Sequence, residues 1–202
     1  MIIGSGIDRD FFNSGCKVIA GIDEAGRGPL AGPVVASAVI LPEGTVIDGI
    51  DDSKKLTAGE REGLFSVIKE KAISIGIGII SSDVIDNINI LEATKEAMTH
   101  AVSSLTVVPD MLIIDGITGI ASRINQLQIK KGDSLSQSIA AASVIAKVTR
   151  DRLMLKYDAK HPQYLFAKHK GYGTAEHLKR IKKFGPCEIH RKSFKGVKEY
   201  CL

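Results

Sequence analysis

The sequence has little of what marks a secreted or membrane protein. Its most apolar stretch, Pro33 to Leu41, is far too short to span a bilayer, and residues 1–13 lack a basic region followed by an apolar one. Its three cysteines, Cys16, Cys187 and Cys201, match no metal-ligand spacing and cannot form an even set of disulfides. We therefore expect a protein of the reducing cytoplasm, without a membrane-spanning segment.

Internal repeats, low-complexity tracts and Ser/Pro-rich linkers are also missing. The 202 residues, 44% hydrophobic and 25% charged, have the composition of an ordinary globular protein. This length suffices for one domain with a full core and a small appendage. We expect an N-terminal segment over 1–16, a main domain over 17–160 and a basic helical region over 161–202.

The net charge of +4 conceals an uneven distribution. Residues 147–202 contain 15 Lys and Arg against 5 Asp and Glu, whereas the first 146 residues contain 12 against 18. Such a basic segment suits a polyanion such as nucleic acid, because neutralised phosphates release their counterions. A solvated basic helix face would have the same composition, so charge alone leaves both interpretations open.

Hydrophobic periodicity predicts an α/β fold. Residues 72–81 alternate isoleucine with small residues, which is typical of a strand, and Thr57-x-x-Glu60 and Ser134-x-x-Gln137 are capping boxes that predict helix starts. The predicted strands are 17–23, 33–41, 72–81, 111–115 and 126–130, and the predicted helices are 57–70, 91–105, 134–160 and 174–184. This order predicts a mixed sheet flanked by helices, with a small C-terminal helical extension.

Acidic residues stand at strand ends and at a helix entry. Asp23 and Glu24 end the first predicted strand, Asp115 ends the fourth, and Asp133 precedes the longest helix. Taken singly, Asp115 would also suit a turn and Asp133 a helix cap. Gathered together they would repel one another, and hard cations such as Mg²⁺ or Mn²⁺ remove that repulsion. Two such ions about 3.5–4 Å apart can drive phosphodiester hydrolysis.

Several ordered motifs resemble those of ribonuclease HII, the type 2 class of ribonuclease H. They are GIDEAGRGPLAGPV at 21–34, DSKKLT at 52–57, INILEAT at 88–94, KGDS at 131–134, SIAAAS at 138–143, AKVTRDR at 146–152 and HKGYGT at 169–174. The resemblance covers about residues 17–195. It implies a ribonuclease H-like mixed sheet flanked by helices, and an endonuclease that hydrolyses the RNA strand of RNA–DNA hybrids and leaves 5′-phosphomonoesters.

The resemblance also implies a two-metal site for Mn²⁺ or Mg²⁺. The substrates would include duplex DNA with a single embedded ribonucleotide, cut on its 5′ side, as in the excision of ribonucleotides from a genome. We expect a monomer, and no residue indicates or opposes contact with a sliding clamp.

The four carboxylates of the family, catalytic and metal-binding, match Asp23, Glu24, Asp115 and Asp133. Asp151 competes for the fourth place because it stands in the matched AKVTRDR motif. However, Asp151 lies deep in the long helix, where Arg150 and Arg152 give an equally good ion-pair explanation. We therefore assign Asp133 and keep Asp151 as an auxiliary candidate.

The Gly26-Arg27-Gly28 element resembles the family's sensor of the ribose 2′-hydroxyl, the group that distinguishes RNA from DNA. Glycines suit this role, because the backbone approaches a sugar only where no Cβ intervenes. Tyr172 matches the tyrosine that completes the sensor. An aromatic residue that only packs beside two glycines would give the same sequence pattern. Three residues match phosphate contacts: Lys54, Ser143 and Lys147. Ser143 would equally suit helix packing.

Competing classes make different demands on these residues. The sister class, ribonuclease HIII, has a longer N-terminal extension and lacks the arginine of Gly26-Arg27-Gly28. A nuclease or integrase acting on DNA alone would need neither this element nor Tyr172. A non-catalytic module that binds hybrids would be favoured by a missing carboxylate, and none is missing.

Overall fold

The structure, a computed structural model, describes residues 6–50, 53 and 56–201. Its centre is a five-stranded mixed sheet in the order β3-β2-β1-β4-β5, in which β1, β2 and β3 are antiparallel while β4 and β5 run parallel to β1. The strands are β1 Ile19–Ala25, β2 Val34–Ile40, β3 Ser74–Ile80, β4 Met111–Asp115 and β5 Asn125–Ile129. The helices are α1 Gly6–Asn13, α2 Ala58–Lys71, α3 Ser82–Ser103, α4 Gln137–Lys160, α5 Phe166–His169 and α6 Ala175–Phe184. The predicted α/β class is confirmed.

Helices cover both faces of the sheet. Helix α3 packs on one face against Ala20 and Ile22 of β1, and α2 and α4 pack on the other. A Cβ at Gly21 would overlap the backbone of Ser138, so α4 lies directly on the central strand. This close approach fixes α4 relative to the end of β1.

Strand β3 alternates as predicted, but its small residues face the core. Gly76 and Gly78 are covered by α3 so closely that a Cβ at either would overlap the carbonyl oxygens of Ala101 and Ala97. Ile75, Ile77 and Ile79 lie on the opposite side, where Ile75 packs against the core under α2 and α4 while Ile77 and Ile79 are exposed. Alternation therefore identified the strand, while close helix packing decided which face is buried.

The capping box at Thr57 is confirmed, and the one at Ser134 is wrong. Ser134 lies in a 3-10 turn, Gly132–Ser134, and its hydroxyl donates to Lys131 O. The N-cap of α4 is Ser136, whose Oγ accepts the Ile139 N–H at 3.1 Å. Ser134 is unavailable because Lys131 takes a left-handed conformation that starts this extra turn.

Helix α3 begins nine residues before the predicted start at 91. Asn89 interrupts it at φ 67°, and its side chain accepts the N–H groups of Leu91 and Glu92. The predicted helix is therefore the half that follows this internal cap. The half that precedes Asn89 starts at the Ser81 cap, and its sequence has no clear helical spacing of apolar residues, so it was not predicted.

Helix α1 docks on the start of α4. Asp8 is buried, and its carboxylate accepts the Gln137 N–H at 3.0 Å and the Ser136 hydroxyl at 3.1 Å. A negative charge at a helix N-terminus is favourable, because the first amides of the helix have no partners within it.

The C-terminal residues fold back onto the loop that follows β1. Arg191 N–H donates to Leu30 O, and Gly32 N–H donates to Ile189 O. Helix α6 carries exposed lysines and ends at Gly185, as predicted. None of the helices in the described ranges is long and apolar enough to cross a membrane.

Candidate active site

Two predicted carboxylates meet at the carboxyl ends of neighbouring parallel strands. The register of β1 and β4 pairs Ile22 with Ile114, so Asp23 and Asp115 follow side by side. Alternation along β1 directs Asp23 toward α4, while Glu24 and Asp115 help line a hollow beneath α3. The carboxyl ends of parallel strands are the usual place for ligand sites in such sheets.

The Asp23 carboxyl carries an electrostatic strain. Burial raises its pKa well above 3.8, and the negative charges of Glu24 and Asp115 raise it further. A hydrogen bond from the Ser143 hydroxyl opposes this shift. A buried carboxylate with two negative charges nearby is stabilised by binding either a proton or a cation. At neutral pH a bound cation reduces the repulsion while the carboxylate stays ionised.

Asp133 lies on the turn that joins the sheet to α4. The Gly132 N–H donates to Asp115 Oδ1 at 2.7 Å, which ties this turn to the end of β4. Asp133 follows directly and is itself buried, at 7% exposed. The structure thus places Asp133 in the segment that adjoins the other carboxylates.

A cleft opens beside Asp23 and Glu24. Its far wall is the Gly26–Gly28 loop, and the Tyr172 ring lies beside that loop with Cε1 3.7 Å from where a Cβ on Gly28 would stand. Ser143 and Lys147 of α4 close a third side. Carboxylates, exposed glycine backbone and a half-exposed aromatic ring therefore share one cleft.

The sequence pattern of the family described as Ribonuclease HII matches residues 20–197. The chain belongs to the ribonuclease HII family. A ribonuclease HII from Geobacter metallireducens is 58% identical over 187 residues, which are 93% of this chain and 88% of that relative. Ribonuclease HII proteins are metal-dependent ribonucleases H that cleave the RNA of RNA–DNA hybrids, and this chain is accordingly such an enzyme.

Solved structures agree on the fold. The ribonuclease H2 of Pyrococcus horikoshii matches with a TM-score of 0.77 and 27% identity, over 91% of this chain and 96% of that one. Bst-RNase HIII in complex with Mn²⁺ matches with a TM-score of 0.68 and 17% identity, over 91% of this chain and 68% of that one. The second likeness is one of fold alone.

The ribonuclease HII carboxylates fit a hard metal ion by their chemistry. Asp23, Glu24 and Asp115 offer oxygen ligands and a surplus of negative charge, which Mg²⁺ and Mn²⁺ prefer. Within the described ranges, no group of three or more His, Cys, Asp or Glu side chains is already arranged to hold an ion.

Two serines support Asp23 from the side of α4. Ser143 Oγ lies 2.9 Å from Ser53 Oγ, and both hydroxyls are buried. Because Ser143 donates its proton to Asp23, Ser53 is the donor between the two serines. Ser143 thus contacts a carboxylate directly, while its contact with phosphate stays a prediction.

The basic residues of the cleft differ in their surroundings. Asp151 does form an ion pair, but its partner is Lys147 Nζ at 2.8 Å, while Arg152 pairs with Glu62 and Arg150 donates to backbone carbonyls. Arg27 Nη1 lies 3.3 Å from Glu24 and is half exposed. Lys54 lies outside the described residues.

Buried residues that sequence reasoning did not assign to the site support the Tyr172 side of the cleft. His177 Nδ1 lies 2.9 Å from Tyr172 O, and His177 Nε2 lies 3.0 Å from His190 Nε2. Two arginines, Arg150 and Arg191, contact Gly26. Arg150 stands in a matched motif, so position could have indicated it, whereas nothing local marked the others.

Proposed function

We propose that this ribonuclease HII cleaves on the 5′ side of a ribonucleotide, including a single ribonucleotide embedded in duplex DNA, and leaves a 5′-phosphate. The observation that carries the proposal is the cleft that Asp23 and Glu24 share with Gly26–Gly28 and Tyr172. A ribose bound against the loop would bring its 5′ phosphodiester toward the carboxylates. Such an enzyme would remove ribonucleotides misincorporated into a genome.

We propose four catalytic residues that hold two Mn²⁺ or Mg²⁺ ions: Asp23, Glu24, Asp115 and Asp133. The close negative charges around buried Asp23 support this assignment. When bound, such ions supply an activated water and stabilise the leaving oxygen. The chain's own part is to hold the ligands: the strands fix Asp23 and Asp115, the Gly132 N–H holds Asp115 Oδ1, and Ser143 orients Asp23.

Recognition of the ribose is assigned to Gly26, Arg27, Gly28 and Tyr172. Gly28 borders the cleft with no side chain, so a sugar can approach its backbone. The Tyr172 ring is 44% exposed and can stack on the sugar that follows the ribonucleotide. A site built to hydrogen-bond a hydroxyl discriminates strongly against its absence, because its polar groups are then left unsatisfied.

Phosphate binding is assigned to three residues: Lys54, Ser143 and Lys147. Lys147 supports this role best, because it lines the cleft together with Asp23 and Ser143. Asp151 lies one helical turn after Lys147, so their ion pair would hold the Lys147 side chain in one orientation.

We also propose a monomer that acts in the cytoplasm. Cys16, Cys187 and Cys201 are free thiols, as expected in a reducing compartment. Sedimentation at micromolar concentration tests the monomer, and a dimer mass would contradict it.

The decisive experiment compares 5′-labelled duplexes that contain zero, one or four ribonucleotides in one DNA strand. We expect a product that ends just before the ribonucleotide, formed with Mg²⁺ or Mn²⁺ and abolished by EDTA. The matched control is Asp115→Asn, which keeps the side-chain volume and removes the charge. An intact single-ribonucleotide duplex, with activity confined to long RNA strands, would refute the proposal.

A further inference from the structure

Two arginines are buried beside the cleft, and neither has a carboxylate in hydrogen-bond contact among the residues that the structure describes. Arg150 is 1% exposed and Arg191 is 0% exposed, and their guanidinium groups donate to backbone carbonyls. Burial lowers the pKa of Arg191 to about 9 and that of Arg150 to about 10, so both remain charged at neutral pH. Burying a charge is costly, and the hydrogen bonds that offset this cost go to carbonyls of residues 26–33 and of Lys170, with the charges of Asp86 and Asp151 adding to them.

Arg191 donates to three carbonyls of the loop that follows β1. Its Nη1 donates to Arg27 O at 2.9 Å, and its Nη2 donates to Gly26 O and to Gly32 O. Its Nε also donates to Gly32 O at 3.1 Å, and its own backbone N–H donates to Leu30 O. The planar guanidinium with five donors suits such a convergent set, which a lysine cannot reproduce.

These bonds dictate which way two peptide groups face. In a trans peptide the N–H points opposite to the preceding carbonyl, and the described residues contain no cis peptide. Because the Gly26 and Arg27 carbonyls point at the guanidinium, the Arg27 and Gly28 N–H groups point away from it. Both residues line the cleft. Neither N–H has a hydrogen-bond acceptor among the described residues.

Arg150 ties the same loop to the Tyr172 segment. Its Nε and Nη2 donate to Pro33 O and Ala31 O, and its Nη1 donates to Lys170 O at 3.0 Å. Gly26 permits this, since its φ is +100° and a Cβ there would overlap the Arg150 side chain. The loop and Tyr172 are thus held together from behind.

We propose that Arg191 is a positioning residue that presents the Arg27 and Gly28 amides to a substrate oxygen in the cleft. The inference rests on the proposed function, because the oxygen in question is the ribose 2′-hydroxyl. Arg191 never touches the substrate, and it acts by fixing the direction of two donors. Its loss should therefore reduce discrimination for the ribose rather than binding of duplex as such.

The test is Arg191→Lys, which keeps the charge and loses the fork of donors. Affinity is measured without divalent ions for a DNA duplex with one ribonucleotide and for the same duplex without it. We expect the wild-type preference for the ribonucleotide to fall by about fivefold or more, because a lost hydrogen bond to the 2′-hydroxyl corresponds to about 1 kcal/mol. Affinity for the all-DNA duplex should stay unchanged, which a general structural defect would not allow. Arg152→Lys, at the exposed side of α4, is the matched control.

The outcomes separate two failures. A wild-type protein without any preference would refute the proposed function, whereas a preference that survives Arg191→Lys would refute only the role of Arg191. If Arg191→Lys does not fold, the Arg27 and Gly28 amide resonances of the unaltered protein decide. They should shift with the ribonucleotide duplex and not with the all-DNA duplex, and equal shifts would overturn the inference.

Discussion

Lowering the pH should destabilise this protein through a buried histidine pair. His177 and His190 are fully buried, with their Nε2 atoms 3.0 Å apart. His190 Nδ1 accepts the Cys187 N–H, so its Nε2–H must donate to His177 Nε2, and His177 Nδ1–H then donates to Tyr172 O. One added proton leaves two N–H groups facing each other across this gap.

The size of the effect follows from the pKa of His177. Burial lowers it from 6.5 to about 4, although the hydrogen bond to Tyr172 O opposes the shift. The unfolded chain therefore binds a proton between pH 6.5 and 4 that the folded chain rejects, and stability falls as pH falls through that window. This shift corresponds to a loss on the order of 3 kcal/mol by pH 4. His190, whose pKa burial lowers to about 3, acts in the same direction.

Urea unfolding of wild type and His177→Gln at pH 7 and pH 4.5 measures this loss. Gln keeps an acceptor for His190 Nε2–H and does not titrate, so the wild type should lose about 2 kcal/mol more than the variant over this range. His100→Gln, at an exposed position, should follow the wild type. Equal losses in wild type and His177→Gln would refute the reasoning.

Four further predictions concern the cleft, the basic surface and the core. Asp115→Asn should lower kcat at least about a hundredfold, because electrostatic stabilisation is lost, while the circular dichroism spectrum and the affinity for duplex stay normal. Near-normal turnover in Mg²⁺ would contradict the carboxylate assignment. Tyr172→Ala should lose cleavage at a single ribonucleotide more than it loses affinity, and Tyr172→Phe should be milder if stacking dominates; parallel losses in activity and affinity would argue against the sensor. Replacing exposed Lys182 and Lys183 together with Gln should reduce the salt slope of binding by about 2, since each phosphate contact releases about one counterion; an unchanged slope would make them solvated residues. Gly21→Ala should lower the free energy of unfolding by about 3 kcal/mol, because the added methyl group would overlap the backbone of α4. A thermal melt that matches wild type would contradict the contact between β1 and α4.

Local patterns predicted the elements that depend on neighbours in sequence. The strand Met111–Asp115 and the Thr57 capping box occur where the pattern placed them, because alternation and capping involve only a few residues. The start of α4 did not follow local pattern. Asp8 lies 128 residues before the Ser136 cap that it hydrogen-bonds, and no local stretch of sequence contains both.

The site residues also include some that local sequence predicted and some that it could not predict. Strand ends indicated Asp23 and Asp115, since a parallel register brings such ends together. The role of Arg191 could not be predicted from local sequence, because its contacts form only when the C-terminal residues fold over the loop after β1. A buried arginine and an exposed one look alike in sequence until the surrounding carbonyls are known.

The contact of Asp8 with the start of α4 makes the N-terminal helix part of the enzyme's working geometry. The family match begins at residue 20, yet the carboxylate that fixes the first turn of α4 lies before it. Ser143 stands about 9 Å along the same rigid helix, so a disturbance at Asp8 would be transmitted to the residue that supports Asp23. An affinity tag fused close to α1, or a chain trimmed to the matched region, would therefore alter the alignment of the cleft while leaving all of its own residues in place.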